Sequence, residues 1–217
     1  MEAITPMSER AAVFDRIYRD YLHRVVRTDW RPKAGLLGIE VDEAGITVPF
    51  FGVPYRISET GIQDPDGKRP IQSVSVSLFQ YLLLSPDASP EGDDWVTYKD
   101  FRDAAPFAGA FTKNVEKAIA EHFSGRLAEL EAAASRLDAH SSNLDLSHDF
   151  HRIFKGLPRI PLLLVFNDED EDFPAQSTVL FQRRASHHLD MECLAMVGWL
   201  LCDRLRHADG VTQGTIT

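Results

Sequence analysis

The chain has 217 residues, with 33 Asp or Glu against 23 Lys or Arg and a formal net charge of −10. Hydrophobic residues make up 44% and charged ones 26%, the balance of a globular chain, and one this long buries roughly 70% of its unfolded surface without staples. An acidic surface repels nucleic-acid phosphates, and no apolar run approaches the roughly 18 residues of a membrane span, so neither partner is expected.

Thr5 and Pro6 read as an N-cap and first helical position. Nothing before them combines a basic segment with an apolar one, so no secretory signal is expected. Val13, Phe14, Ile17, Tyr18, Tyr21, Leu22, Val25 and Val26 follow at helical spacing, which predicts an amphipathic helix over 6–27. Its other face carries Arg10, Asp15, Arg16, Arg19, Asp20 and Arg24. From Leu37 the period falls to two. Leu37, Ile39 and Val41 alternate, then Ile46, Val48 and Phe50, then Val53, Tyr55 and Ile57. This predicts a hairpin or short meander turning at 42–45, with Gly52 and Pro54 interrupting it. Asp64-Pro65-Asp66-Gly67 reads as a turn. Val74 to Leu84 reads as a buried helix, and 85–94 as a loop.

After Phe111, Val115, Ile119, Phe123, Leu127, Leu130, Ala134 and Leu137 keep helical spacing. Ser124-Gly125 kinks or splits that run. Residues 138–147 are polar and turn-like. Three strands are expected at 150–154, 161–166 and 178–182, the second apolar throughout, as a central strand is. Leu189 to Leu205 reads as a helix apolar over much of its surface. The last residues, from Val211, are small and polar and are expected to fray.

The only two cysteines, Cys193 and Cys202, fall in that last helix. Nine residues apart, they point to opposite faces with about 13 Å of rise between them. They can neither pair with each other nor share a metal, and they read as reduced thiols in a cytoplasmic protein.

Asp168-Glu169-Asp170-Glu171-Asp172 is the densest charge run. Clustered oxygens of this kind suit a hard cation. Asp168, Asp170 and Asp172 repeat the start of a calcium loop, but Phe173 stands where that loop needs Gly, and Val179 where it needs Glu. A solvated hairpin tip is the other reading. His148 and His151 lie three apart at a strand entry, where they face opposite ways; on a helix they would face one way and could chelate. His187 and His188 are adjacent. No Gly-x-Ser-x-Gly elbow, Walker loop or dinucleotide fingerprint is present. Arg159, between two prolines at the start of the apolar strand, reads as an anion ligand or as a partner for the acidic loop, with pairing preferred. Trp30, Trp95 and Trp199 are assigned core or partly buried roles.

Leu157-Pro158-Arg159-Ile160-Pro161-Leu162-Leu163-Leu164-Val165-Phe166 leads into the acidic run. Then come Asp172-Phe173-Pro174-Ala175, Val179-Leu180-Phe181, and Leu189-Asp190 opening a Leu-rich helix. Together with Phe79-Gln80-Tyr81-Leu82-Leu83 and Trp95-Val96-Thr97-Tyr98-Lys99-Asp100-Phe101, this string resembles domain-of-unknown-function family 3786 of anaerobic bacteria and archaea, over roughly 10–205. The resemblance implies a link to corrinoid-dependent methyl transfer or to iron–sulfur segments. It supplies no site residue, and Cys193 and Cys202 depart from the cluster pattern.

The order helix, strands, helices, strands, helix predicts an α+β fold: an antiparallel or mixed sheet packed with several helices, with amphipathic helices at the N-terminal and C-terminal ends. One domain over 1–217 is expected, with residues 1–5 and 208–217 as flexible ends. The expected function is a cytoplasmic binding or accessory protein for a small molecule or another protein, with Arg159, Phe173 and His188 as ligand contacts. No cofactor is named. The alternative is a metal-assisted hydrolase or transferase with Asp168, Asp170 and Asp172 as metal ligands beside His187 and His188. A homodimer through the helix at 189–205 is a third expectation.

Overall fold

The computed structural model describes the backbone of residues 6–210 and the side chains from Ala12 to Gly210. The expected N-cap at Thr5 and the ends 1–5 and 211–217 lie outside the described residues. Helix α1 spans Pro6–Val26, about 31 Å at 1.5 Å per residue. Its apolar stripe is one face in sequence but two in space. Tyr18 and Tyr21 set their edges on Phe79, with ring centroids 5.2 and 6.0 Å apart. The Tyr18 hydroxyl accepts the Ile62 N–H at 2.8 Å, and Val25 is fully buried. Val13, Phe14 and Ile17 remain 45%, 44% and 37% exposed.

The chain leaves α1 through a 3-10 turn, Arg31–Lys33, into the single helical turn α2, Ala34–Leu37. Gly38 ends α2 with φ 67°, a left-handed stop that glycine takes without a Cβ penalty. Leu37, expected in a strand, is therefore helical. Strands β1 (Glu40–Asp42), β2 (Gly45–Phe50), β3 (Val53–Ser58) and β4 (Gly61–Gln63) form an antiparallel meander in that order. Gly52 does not interrupt it: Phe51 and Gly52, at φ 48° and 76°, are the two-residue turn joining β2 to β3. Pro54 faces Pro49 in a rung past the ends of β1 and β4, where no neighbour requires the missing N–H. Helix α3, Gln72–Leu83, buries Val74, Leu78, Phe79, Tyr81 and Leu82 as its spacing predicts.

The second sheet is also antiparallel, in the order β5-β9-β8-β7-β6. Its strands are β5 (Trp95–Thr97), β6 (His140–Ser141), β7 (Phe150–Leu157), β8 (Ile160–Asn167) and β9 (Gln176–Gln182). β8 is central, with Leu162 to Phe166 buried. A bulge at Gly156 between β7 and β8 coincides with a carbonyl that accepts the Phe51 N–H at 2.7 Å, joining the two sheets. β5 was not legible as a strand.

A long helical run crosses this sheet as α4 (Ala105–Phe111), a π-helical segment (Thr112–Lys117) and α5 (Ala118–Phe123). At Gly125, with φ 68°, it breaks, and α6 (Leu127–Arg136) begins, so the run is split rather than kinked. Helix α7, Met191–Ala208, starts at Asp190, whose carboxylate accepts the Cys193 N–H at 2.8 Å. It packs on α3, α4, α5 and α6. Coverage from several sides buries Cys193 and Cys202 alike, at 2% and 3% exposure, although they point opposite ways.

The end of α7 is held by side-chain contacts at Asp209. The Asp209 side chain is 4% exposed and accepts Arg126 at 2.8 Å and the His122 ring at 3.0 Å. Burial alone would raise its carboxyl, but these partners hold it below the usual carboxylate range. One continuous core runs from Val25 to Leu205 and includes residues of both sheets. The fold is α+β. Among the described residues no helix is long and apolar enough to cross a membrane.

Candidate functional site: a groove between two helices

α4 and α7 approach closely because Gly198 has no side chain: a Cβ there would lie 2.4 Å from the Phe111 ring. Beside this contact, Ala110 and Ala195 line a groove of about 230 Å³ that they are too small to fill. Phe111 and Val115 are its buried floor, and Phe107, Met196 and Trp199 form its walls. Trp199 is 41% exposed, partly buried rather than part of the core. Towards the start of α7 the groove continues into a cleft of about 530 Å³. Phe107 and Glu192 line both. Asp103, Asp190, Arg102 and His187 lie along the wider part. The π-helical segment supplies Asn114 and Val115 to the wall. Such segments sit often at functional sites, because the extra residue re-aims side chains.

His188 follows His187 in the chain but turns inward. It is 1% exposed and stacks on Tyr81 with ring centroids 5.7 Å apart. Its Nδ1 has no hydrogen-bond partner. Burial first, then the charges of Arg184, His187 and Arg159, push its pKa down to about 4, so the ring is neutral at pH 7. The Tyr81 hydroxyl donates to the Leu37 carbonyl at 2.6 Å, and burial raises its pKa far above the phenol range.

Arg159 shares this neighbourhood but does not pair with the acidic loop. Its Nε donates to the Leu36 carbonyl at 2.7 Å and its Nη2 to the Gly35 carbonyl at 2.6 Å. The guanidinium thus clamps the turn β7–β8 to helix α2. Arg159 and His188 are brought together. Phe173 is not: it stands 64% exposed at the opposite end of β9, roughly 20 Å away along a seven-residue strand.

The acidic loop has a structural task of its own. Asp168 accepts the Gly125 N–H at 2.7 Å, and Glu169 accepts the Ser124 hydroxyl at 2.8 Å. Both carboxylates therefore sit at the start of α6, where a helix favours negative charge. Asp170 closes its own turn by accepting the N–H groups of Asp172 and Phe173 at 2.8 and 2.7 Å. Among the described residues, no three His, Cys, Asp or Glu side chains come together as ligands of one metal ion. Asp168, Asp170 and Asp172 are separated by β9 from His187 and His188, so the two groups do not share a site. The thiols do not fit an iron–sulfur cluster. They face opposite ways and are buried, which pushes Cys202 up to about 11 and Cys193 higher still.

Sequence reasoning missed Phe107, Ala110, Met196 and Trp199. One signal was present on α7: Glu192, Met196 and Trp199 follow at i, i+4 and i+7, on one stripe of the helix. The α4 side carries no local signal, because it meets α7 only through the fold.

No curated protein and no solved structure matches the chain. One family model matches residues 31–204, from the turn after α1 to the last turns of α7. It contains both sheets and both walls of the groove, and the whole of α1 lies before it. On that match the chain belongs to the family described as Domain of unknown function (DUF3786).

Proposed function

We propose that the chain is a cytoplasmic binding or accessory protein, and that its groove between α4 and α7 seats an apolar helical segment flanked by basic residues. The observation that carries this reading is Trp199, left 41% exposed on a helix otherwise buried from several sides. Phe107 and Met196 beside it supply further apolar surface, and an open helix–helix groove of this kind receives an amphipathic helix through anchors at i, i+3 and i+4. Asp103 and Glu192 on the rim select basic flanks. In anaerobic cofactor metabolism, corrinoid or iron–sulfur, the chain acts as a partner, and the cofactor belongs to the protein it meets, since Cys193 and Cys202 cannot hold a cluster.

Nile red binding to dilute protein tests the groove. Its emission rises with the unchanged chain and with Phe14→Glu, and Ala195→Trp, which fills the groove, removes most of the rise. Equal emission from all three proteins would overturn the reading.

A further inference from the structure

We infer that the segment seated in the groove is α1 of a second copy of this chain. The inference rests on the groove reading above and names its occupant. Two features otherwise have no explanation. The first is the stripe Val13, Phe14 and Ile17, which continues the buried stripe of α1 past the edge of its own body and stays exposed. A helix segment that packs on nothing is marginal in water, and its solvent-facing positions ordinarily carry charge. The second is the groove itself, where the described residues leave Trp199 exposed and Met196 half-buried.

The two surfaces match in chemistry. Phe14 and Ile17 lie at i and i+3, the spacing of helix anchors that fill such grooves. Residues 12–27 carry Arg16, Arg19, Arg24 and Arg27 against Asp15 and Asp20, a net positive stretch in a chain of net charge −10. Asp15 is already engaged by Arg69 at 3.3 Å. Glu192 on the groove rim and Asp103 and Asp190 in the adjoining cleft, against Arg102 alone among Lys and Arg, leave the receiving surface net negative. The topology keeps the two surfaces apart within one copy: α1 packs on α3, α3 on α7, and α7 on α4, so α3 stands between a chain's own stripe and its own groove. The family match adds a further mark. It contains the groove and begins after α1, as if the helix were appended to a domain that receives it. Such a contact joins unlike surfaces, so copies assemble head to tail and close into a ring or extend, according to the rotation between them.

Light scattering on the full chain, over a range of concentrations, tests this. The mass of the unchanged protein rises above that of one chain. Phe14→Glu with Ile17→Glu removes the helix anchor, and Ala195→Trp blocks the groove; each variant stays monomeric with an unchanged circular dichroism spectrum. Mixed in equal amounts they form a one-to-one dimer, because one retains a groove and the other a helix. A second pair does not depend on groove filling: Arg16→Glu weakens association about fivefold, the scale of an exposed charge pair, and Glu192→Arg in the same chain restores it. An unchanged chain that remains monomeric at every concentration overturns the inference and leaves the groove to the Nile red result. A mixture that stays monomeric overturns it also. So does association lost with the α1 variant and kept with Ala195→Trp, which would mean that α1 pairs with α1.

Discussion

Helices α1 and α7 carry the same kind of pattern, apolar residues at i, i+3 and i+4, and end in different environments. α7 is covered from several sides, so that even residues half a turn apart, Cys193 and Cys202, are both buried. Along the described part of α1, Tyr18, Tyr21 and Val25 meet the body, while Val13, Phe14 and Ile17 stay 45%, 44% and 37% exposed. Periodicity marks a face that favours cover. It does not say whether the cover comes from the same chain, because that depends on which elements the topology places beside it.

The largest expected effect that would sharpen this contrast is at Leu201, fully buried in α7. Leu201→Ala costs about 2–5 kcal/mol, the transfer and cavity terms of a large-to-small change in a core. Urea unfolding measures it, and a loss below about 1 kcal/mol would show that α7 is loosely packed.

Acid reaches the same helix through His188, at its entry. The folded state holds this ring neutral down to about pH 4, while in the unfolded chain it protonates near 6.5. The unfolded state therefore binds the extra proton, and the full stability present above 6.5 falls as pH drops from there to about 4, by up to about 3 kcal/mol. His188→Phe removes that part of the pH dependence. If the unfolding free energy of the two proteins falls in parallel between pH 7 and 4.5, the ring is not buried neutral.

The smallest effect belongs to α1. Phe14→Ser changes the stability of dilute protein by less than about 0.5 kcal/mol, as an exposed substitution does. A loss several times larger would break the comparison, since Phe14 would then be packing against its own body.

Much of this fold was legible. Alternation located most of the first meander, and helical spacing placed α1, α3 and α7 within a few residues of their ends. The failures have physical reasons. Leu37 alternates with Ile39 and Val41, yet Gly38 in the left-handed region closes a helical turn just before the strand. Trp95–Thr97 is too short to show a period, and its strand exists only because β9 offers an edge. Arg159 was expected to pair with carboxylates; its partners are the carbonyls of Gly35 and Leu36, and a backbone carbonyl leaves no trace in residue type. The candidate site was hidden for a similar reason. Its walls come from α4 and α7, far apart in the chain, and only the α7 half carries a pattern.

The order of the second sheet has a consequence for how the molecule assembles. β7, β8 and β9 are successive antiparallel neighbours and pair through short connections, as do β1 to β4. β5 must instead find β9, Trp95 opposite Gln182, by closing a loop of roughly 85 residues, with an entropic cost that local hairpins avoid. Three residues of ladder and two ion pairs, the exposed Arg183 with Asp94 and the half-buried Arg184 with exposed Asp93, offset little of that cost. β5 thus joins the sheet after β7, β8 and β9 have paired, and it opens before β8 does. Amide exchange in the native state is faster in β5 than in the central strand β8.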